Sequence, residues 1–124
     1  MKYPVIYIKG RGDHTARFAE LTGGKMRVVA DIRSAAQALT DLRDDHPVIL
    51  YEQRDTDADN GNIRFLRSRF PETAIVLIAS APLEDAQRRS YLKAGVNSAV
   101  TGDISAEDFN RTVQFITDYA FTPK

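Results

Sequence analysis

The chain is 124 residues long, enough for one domain that withdraws roughly two thirds of its unfolded surface from water, so a hydrophobic core needs no covalent staples. Its 17 Lys and Arg balance 17 Asp and Glu at a formal net charge of 0, which supplies no overall field to draw in nucleic acid or anionic lipid. The absence of cysteine excludes disulfides and thiolate metal sites, and no apolar run approaches the ~20 residues of a membrane helix, so a soluble protein of the reducing cytosol is expected.

Short β-rich apolar runs alternate with longer segments of helical periodicity. The first run, 5–8, closes the opening MKYPVIYI and is followed by Lys9-Gly10-Arg11-Gly12 and a helix expected over about 14–22. A second strand over 26–30 precedes a helix over 32–43, where Ala36, Leu39 and Leu42 share a face and Asp31 or Ser34 can cap the start. A third strand over 48–51 leads through an acidic segment to a helix over 61–69, and a fourth over 75–79 leads to a helix over 83–94. The fifth, 98–101, leads to the last helix, 105–120, in which Phe109, Val113, Ile116 and Ala120 line one face and Ser105 with Asp108 resembles a capping box. Five such units make an α/β fold, a flavodoxin-like doubly wound parallel sheet with five helices and strand order 2-1-3-4-5. Sites in such sheets lie beyond the carboxyl ends of the strands, here near Lys9, Gln53, Ser80 and Gly102. No repeat, linker or low-complexity tract divides the chain, so 1–124 is expected to be a single domain.

Three stretches resemble the receiver domains of bacterial two-component response regulators: PVILYEQRDTDADNG at 47–61, PETAIVLIAS at 71–80 and YLKAGVNSAVTGDISAEDF at 91–109. They follow the family's order and nearly its spacing, while the first half matches only in its pattern of strands and helices. The resemblance implies a strand-end site with two acids for Mg²⁺ after the first strand, an acceptor aspartate after the third, a hydroxyl after the fourth and a lysine after the fifth. Such a set neutralises the charge spreading over a phosphoryl group while a carboxylate attacks in line. Carried over residue by residue, the acid pair falls on Lys9 and Gly10, and the acceptor on Gln53, with Glu52 as the neighbouring option. The hydroxyl falls on Ala79, with Ser80 one step later, and the lysine on Gly102, followed by Asp103 where the family has proline. A lysine where a dication should sit disfavours Mg²⁺. The aromatic residue that toggles in the fifth strand of typical receivers is replaced by Ala99.

The resemblance therefore implies a pseudo-receiver, a regulatory domain without phosphotransfer or cofactor that acts by binding a protein partner or a second copy, as in a homodimer. In the family the docking face is built from the fourth helix, fifth strand and fifth helix, which here carry Arg88, Tyr91, Ala99, Phe115 and Tyr119. Receiver-like domains commonly precede an output domain, which implies that the chain is the amino-terminal module of a longer protein.

Other signals compete. Asp55, Asp57 and Asp59 alternate before Asn60 and Gly61 as in a calcium loop, but Leu66 stands where that loop needs a bidentate glutamate, so a solvated acidic turn is expected and a hard-cation site is the weaker alternative. Lys9-Gly10-Arg11-Gly12 can cradle a small anion, though it matches neither a P-loop nor a dinucleotide fingerprint, and a flexible turn is the plainer reading. His14 and His46 are expected at the surface, away from any nucleophile, and Ser80 lacks the glycine-flanked elbow of hydrolases. Arg64, Arg67, Arg69, Arg88 and Arg89 are dispersed among acids and read as solvated faces, not as a nucleic-acid footprint. Phe115, Tyr119 and Phe121 fall beside the core face of the last helix, where they either form an interaction surface or cover the end of the sheet. Two rival functions remain at this point. A ligand-binding domain or small enzyme predicts a deep pocket near Lys9, Gln53 and Ser80, and a weakly active receiver predicts a compact acidic Mg²⁺ site.

Overall fold

The computed structural model describes residues 3–121. In chain order the elements are β1 (Val5–Ile8), α1 (Thr15–Leu21), β2 (Met26–Val29), α2 (Ile32–Asp41), β3 (Val48–Glu52), α3 (Thr56–Arg69), β4 (Ala74–Ala79), α4 (Asp85–Ala94), β5 (Ser98–Thr101) and α5 (Ala106–Ala120), with a short 3-10 turn at Arg43–Asp45. All strand pairs are parallel and the order is β2-β1-β3-β4-β5, the flavodoxin-like topology that the alternation of elements predicts. Among the described residues no helix is long and apolar enough to cross a membrane.

Helices cover both faces of the sheet, which is why β1, β3 and β4 are buried at every position and read as continuous apolar runs. Strand alternation sorts their side chains into two cores. Ile6, Ile8, Ile49, Tyr51, Ile75 and Leu77 pack with Leu39 of α2, Ile63 and Leu66 of α3 and Tyr91 of α4. Val5, Tyr7, Val48, Leu50, Val76 and Ile78 pack with Phe18 of α1 and with Phe109, Val113 and Ile116 of α5, as the periodicity of the last helix predicts. Each large apolar side chain so buried contributes about 1.5–3 kcal/mol, so the stability resides in the three central strands. The edge strand β2 is poorer: α1 has only 7 residues, and Val28 stays 46% exposed. Gly23 and Gly24, at φ 67° and 77°, make the left-handed turn that returns the chain to this edge.

Caps fix the helix starts. Asp31, not Ser34, caps α2 by accepting from the Ser34 N–H at 2.8 Å, and Ser105 caps α5 by accepting from the Asp108 N–H at 3.1 Å. The largest departure from the sequence expectation is α3, which begins at Thr56 and not near 61. Asp55 accepts from the Ala58 N–H at 3.0 Å, and Asp57 and Asp59 sit in the first turn, where the positive end of the helix dipole favours carboxylates. The segment expected to be an acidic turn is therefore helical. Alternate residues of a helix point about 200° apart, so Asp57 and Asp59 diverge, and the described residues contain no cluster of acids or histidines able to hold a metal.

Arg67 also departs from expectation. Its guanidinium leaves the solvated face and donates to the carbonyls of Pro71 (2.9 Å), Thr73 (2.6 Å) and Gly95 (2.8 and 3.1 Å) and to Asn97 Oδ1 (2.8 Å). Asn97 Oδ1 in turn accepts from the Ile75 N–H at 2.8 Å. One cation thus joins the turn before β4 to the turn before β5, and burial lowers its pKa from the usual arginine value.

Candidate functional site at the strand ends

The carboxyl ends of β1 and β3 meet over Glu52. As the last residue of β3 its side chain falls on the layer of Val48 and Leu50 and is 1% exposed. The Tyr7 hydroxyl donates to one carboxylate oxygen in a short hydrogen bond, and the Gly10 N–H donates to the other at 2.8 Å. Burial first, and then the bond to Glu52, push the Tyr7 phenol well above its ordinary pKa. A Cβ at Gly10 would lie 2.2 Å from the Glu52 carbonyl oxygen, so only glycine allows the loop after β1 to close this tightly. Arg54 straps the same end from outside, donating to the carbonyls of Lys9 (2.7 and 3.1 Å) and Ala30 (2.7 Å). The Lys9 side chain remains at the surface.

Gln53, one residue on, turns to the opposite layer and donates through Nε2 to the Tyr91 hydroxyl at 3.3 Å. Tyr91 donates to Asp59 Oδ2 at 2.8 Å, Tyr51 donates to Asp59 Oδ1 at 2.8 Å, and the Arg54 N–H donates to the same carboxylate at 3.0 Å. Asn62 Nδ2 completes the set by donating to the Tyr51 hydroxyl at 3.0 Å. Asp59 is 0% exposed, and a carboxylate there is tolerable only because these donors surround it. Desolvation raises the pKa of both Tyr51 and Tyr91. The network corrects the expectation for Tyr91, which is 0% exposed in the core and not part of a docking face. Asp59 was not singled out as a buried group. The available signal was the pair of tyrosines in apolar segments, since a buried phenol needs a polar partner.

At β4 and β5, Ala79 is buried and Ser80 is exposed. His14 is not a free surface histidine: its Nε2 lies 3.4 Å from Ser80 Oγ, and its ring covers Gly102 and Gly12. A Cβ at Gly102 would come within 2.2 Å of His14 Cε1, and one at Gly12 within 2.6 Å of His14 Cδ2. Gly102 is thus the floor on which the imidazole rests. Beside it Asp103 accepts from Thr101 Oγ1 at 2.6 Å, a bond that holds its carboxyl below the usual aspartate range. The strand-end crevice is accordingly filled by Glu52, Gln53 and His14, where a ligand-binding domain needs depth.

Two open concavities lie at the amino ends of the strands. One of about 510 Å³ is lined by Arg43, His46, Phe70 and Phe121, among others, and one of about 960 Å³ runs between α5 and Pro71, Glu72 and Thr73. The two alternatives for the aromatic residues of the last helix divide here. Phe121 covers the sheet end, with its ring 4.8 Å from His46 and 4.9 Å from Tyr3, and His46 takes a left-handed backbone (φ 55°) in this cluster. Phe115 and Tyr119 are 76% and 82% exposed. Of the remaining residues expected on the docking face, Arg88 is exposed and Ala99 is half-buried against the core.

No protein-family model matches the chain, and no curated protein matches it. Solved structures do. A CheY-like protein (tadZ) from Pseudomonas aeruginosa superposes with a TM-score of 0.74 at 15% identity, covering 94% of each chain. A response regulator from Thermotoga maritima gives 0.69 at 15% identity, covering 92% of this chain and 97% of its own. The signal receiver domain of a histidine kinase from Syntrophus aciditrophicus gives 0.72 at 12% identity, covering 98% and 95%. At these identities the likeness is one of architecture, and the architecture is that of response-regulator receiver domains.

Proposed function

We propose that the chain is a receiver-like regulatory domain that works through protein–protein interaction and without being phosphorylated. The observation that carries this reading is the filled strand-end crevice. An acceptor carboxylate must meet an incoming phosphoryl group together with a metal and a cation. Glu52 is 1% exposed and already engaged by Tyr7 and Gly10, Gln53 is not a nucleophile, and Gly102 supports His14 where the family's lysine would stand. Lys9 and Gly10 offer no oxygen side chains for Mg²⁺. The ligand-binding alternative is disfavoured by the same packing, because His14 takes the room a substrate needs. On this reading the domain is a cytoplasmic, non-enzymatic module of a longer protein, and its exposed aromatic residues, not its strand ends, meet the partner.

The test is intact mass after incubation with acetyl phosphate and Mg²⁺. An unmodified mass is expected. The gain of one phosphoryl group, lost on replacing Glu52 or a nearby aspartate, would overturn the proposal.

A further inference from the structure

We propose that the smaller groove at the amino ends of the strands, opposite the filled crevice, binds a small zwitterion carrying an aromatic ring, of the class of a free aromatic amino acid. Its volume of about 510 Å³ falls within the ~300–1,000 Å³ of small-molecule sites. Flat side chains supply apolar wall: Phe70 ends α3 and is 6% exposed, and the ring of Phe121 lies 4.8 Å from that of His46. The same groove is lined by four charged side chains, Arg43 and Asp44 on the 3-10 turn, Arg69 at the end of α3 and Glu72 in the turn after it. Among the described residues none of these four takes part in a salt bridge or a side-chain hydrogen bond, although two cations and two anions share one groove. A purely anionic or purely cationic ligand would satisfy two of them and be opposed by the other two. A zwitterion pairs with both signs, its carboxylate with Arg43 and Arg69 and its ammonium with Asp44 and Glu72, while its ring lies against the flat side chains.

The larger groove beside it offers no such set. All five donors of its Arg67 are engaged by the carbonyls of Pro71, Thr73 and Gly95 and by Asn97 Oδ1. Those bonds also serve the smaller groove, because they hold in place the turn from Pro71 to Thr73 that forms one of its walls. The opposite wall is held by the Asp45 N–H, which donates to the Leu42 carbonyl at 2.9 Å, and by the Val48 N–H, which donates to the Pro4 carbonyl at 2.9 Å. Between those two bonds His46 keeps a left-handed backbone (φ 55°), a conformation glycine adopts more readily, and so sets an imidazole in the lining. Walls that stand before the ligand arrives lower the ordering cost of binding it.

The test is titration of the isotopically labelled chain with L-phenylalanine, followed by NMR at the amides of Arg43, His46 and Thr73. Saturable shifts confined to this groove are expected, with a dissociation constant below about 1 mM. 3-Phenylpropionate, which lacks the ammonium, and phenethylamine, which lacks the carboxylate, should each bind at least about tenfold more weakly. In the double variant Arg43→Gln with Arg69→Gln, phenylalanine should fall to the level that phenethylamine reaches on the parent chain. In Asp44→Asn with Glu72→Gln it should fall to the level of 3-phenylpropionate, and both variants should keep the parent melting temperature because all four side chains are exposed. Shifts that do not saturate, or equal affinity for all three compounds, overturn the proposal, as does phenylalanine binding that neither double variant weakens. The three compounds on the parent chain decide the matter even where a variant fails to fold. No outcome bears on phosphorylation, which the mass measurement decides separately.

Discussion

At the carboxyl ends of β1, β3, β4 and β5 the side chains turn toward one another: Tyr7 and Gly10 on Glu52, Tyr51 and Tyr91 on Asp59, His14 on Gly102. At the amino ends Arg67 ties the turns before β4 and β5 together, and two grooves lie beside Pro71, Glu72 and Thr73. The first end is closed by buried polar contacts between side chains; the second is held by Arg67, Asn97 and the ring cluster of Tyr3, His46 and Phe121 and carries two grooves. The packed end is the one beyond which the sites of this fold lie.

The contrast can be broken most severely at Asp59. Replacing it with alanine strands the hydroxyls of Tyr51 and Tyr91 in the core, and each buried unsatisfied group costs about 1–3 kcal/mol, so a loss of roughly 3 kcal/mol is expected in urea denaturation. A loss below roughly 1 kcal/mol would mean that the network is decorative. At the other end Arg67→Met keeps volume but abandons the carbonyls of Pro71, Thr73 and Gly95, and about 2 kcal/mol is expected. If it costs more than Asp59→Ala, the ranking of the two ends is wrong.

Alkali should act on the packed end. The pKa values of Tyr7, Tyr51 and Tyr91 are raised above the unfolded value of 10.0, so above that pH the folded chain holds protons that the unfolded chain has released. Stability should therefore be fully present below pH 10 and fall as pH rises through the tyrosine range, less steeply in Tyr7→Phe, as followed by thermal melts against pH. The smallest effect on stability is expected for Gly102→Ala, whose Cβ meets the movable ring of His14 before anything else. That variant should cost under about 1 kcal/mol while displacing the His14 imidazole resonances in NMR spectra, and unshifted resonances would show that the ring does not rest there.

The parts of the molecule legible in the sequence are those fixed by local pattern. β1, β3 and β4 are buried on both faces and so appear as unbroken apolar runs, and α5 shows its core face in the spacing of Phe109, Val113 and Ile116. The start of α3 was hidden because Asp, Asn and Gly are also turn residues, and only the bond from the Ala58 N–H to Asp55 decides for helix. The positions at the strand ends follow from the strand order alone. What fills them was not visible, because His14 lies there through its fit to Gly102, far along the chain, and Tyr91 turns inward through the demand of a carboxylate on another helix. Arg67 is the same case: its acceptors are backbone carbonyls, which no residue type announces.

The strand order has a consequence for how the chain finds this structure. β3, β4 and β5 are neighbours both in sequence and in the sheet, with Val48 paired to Ala74 and Val76 to Ser98, whereas β1 must pair with β2 on one side and with the distant β3 on the other. Contacts that close shorter loops form at lower entropic cost, so the second half is expected to assemble first and to template the insertion of β1. In stopped-flow measurements Leu50→Ala and Leu77→Ala should chiefly slow folding, whereas Val29→Ala, on the edge strand, should chiefly speed unfolding.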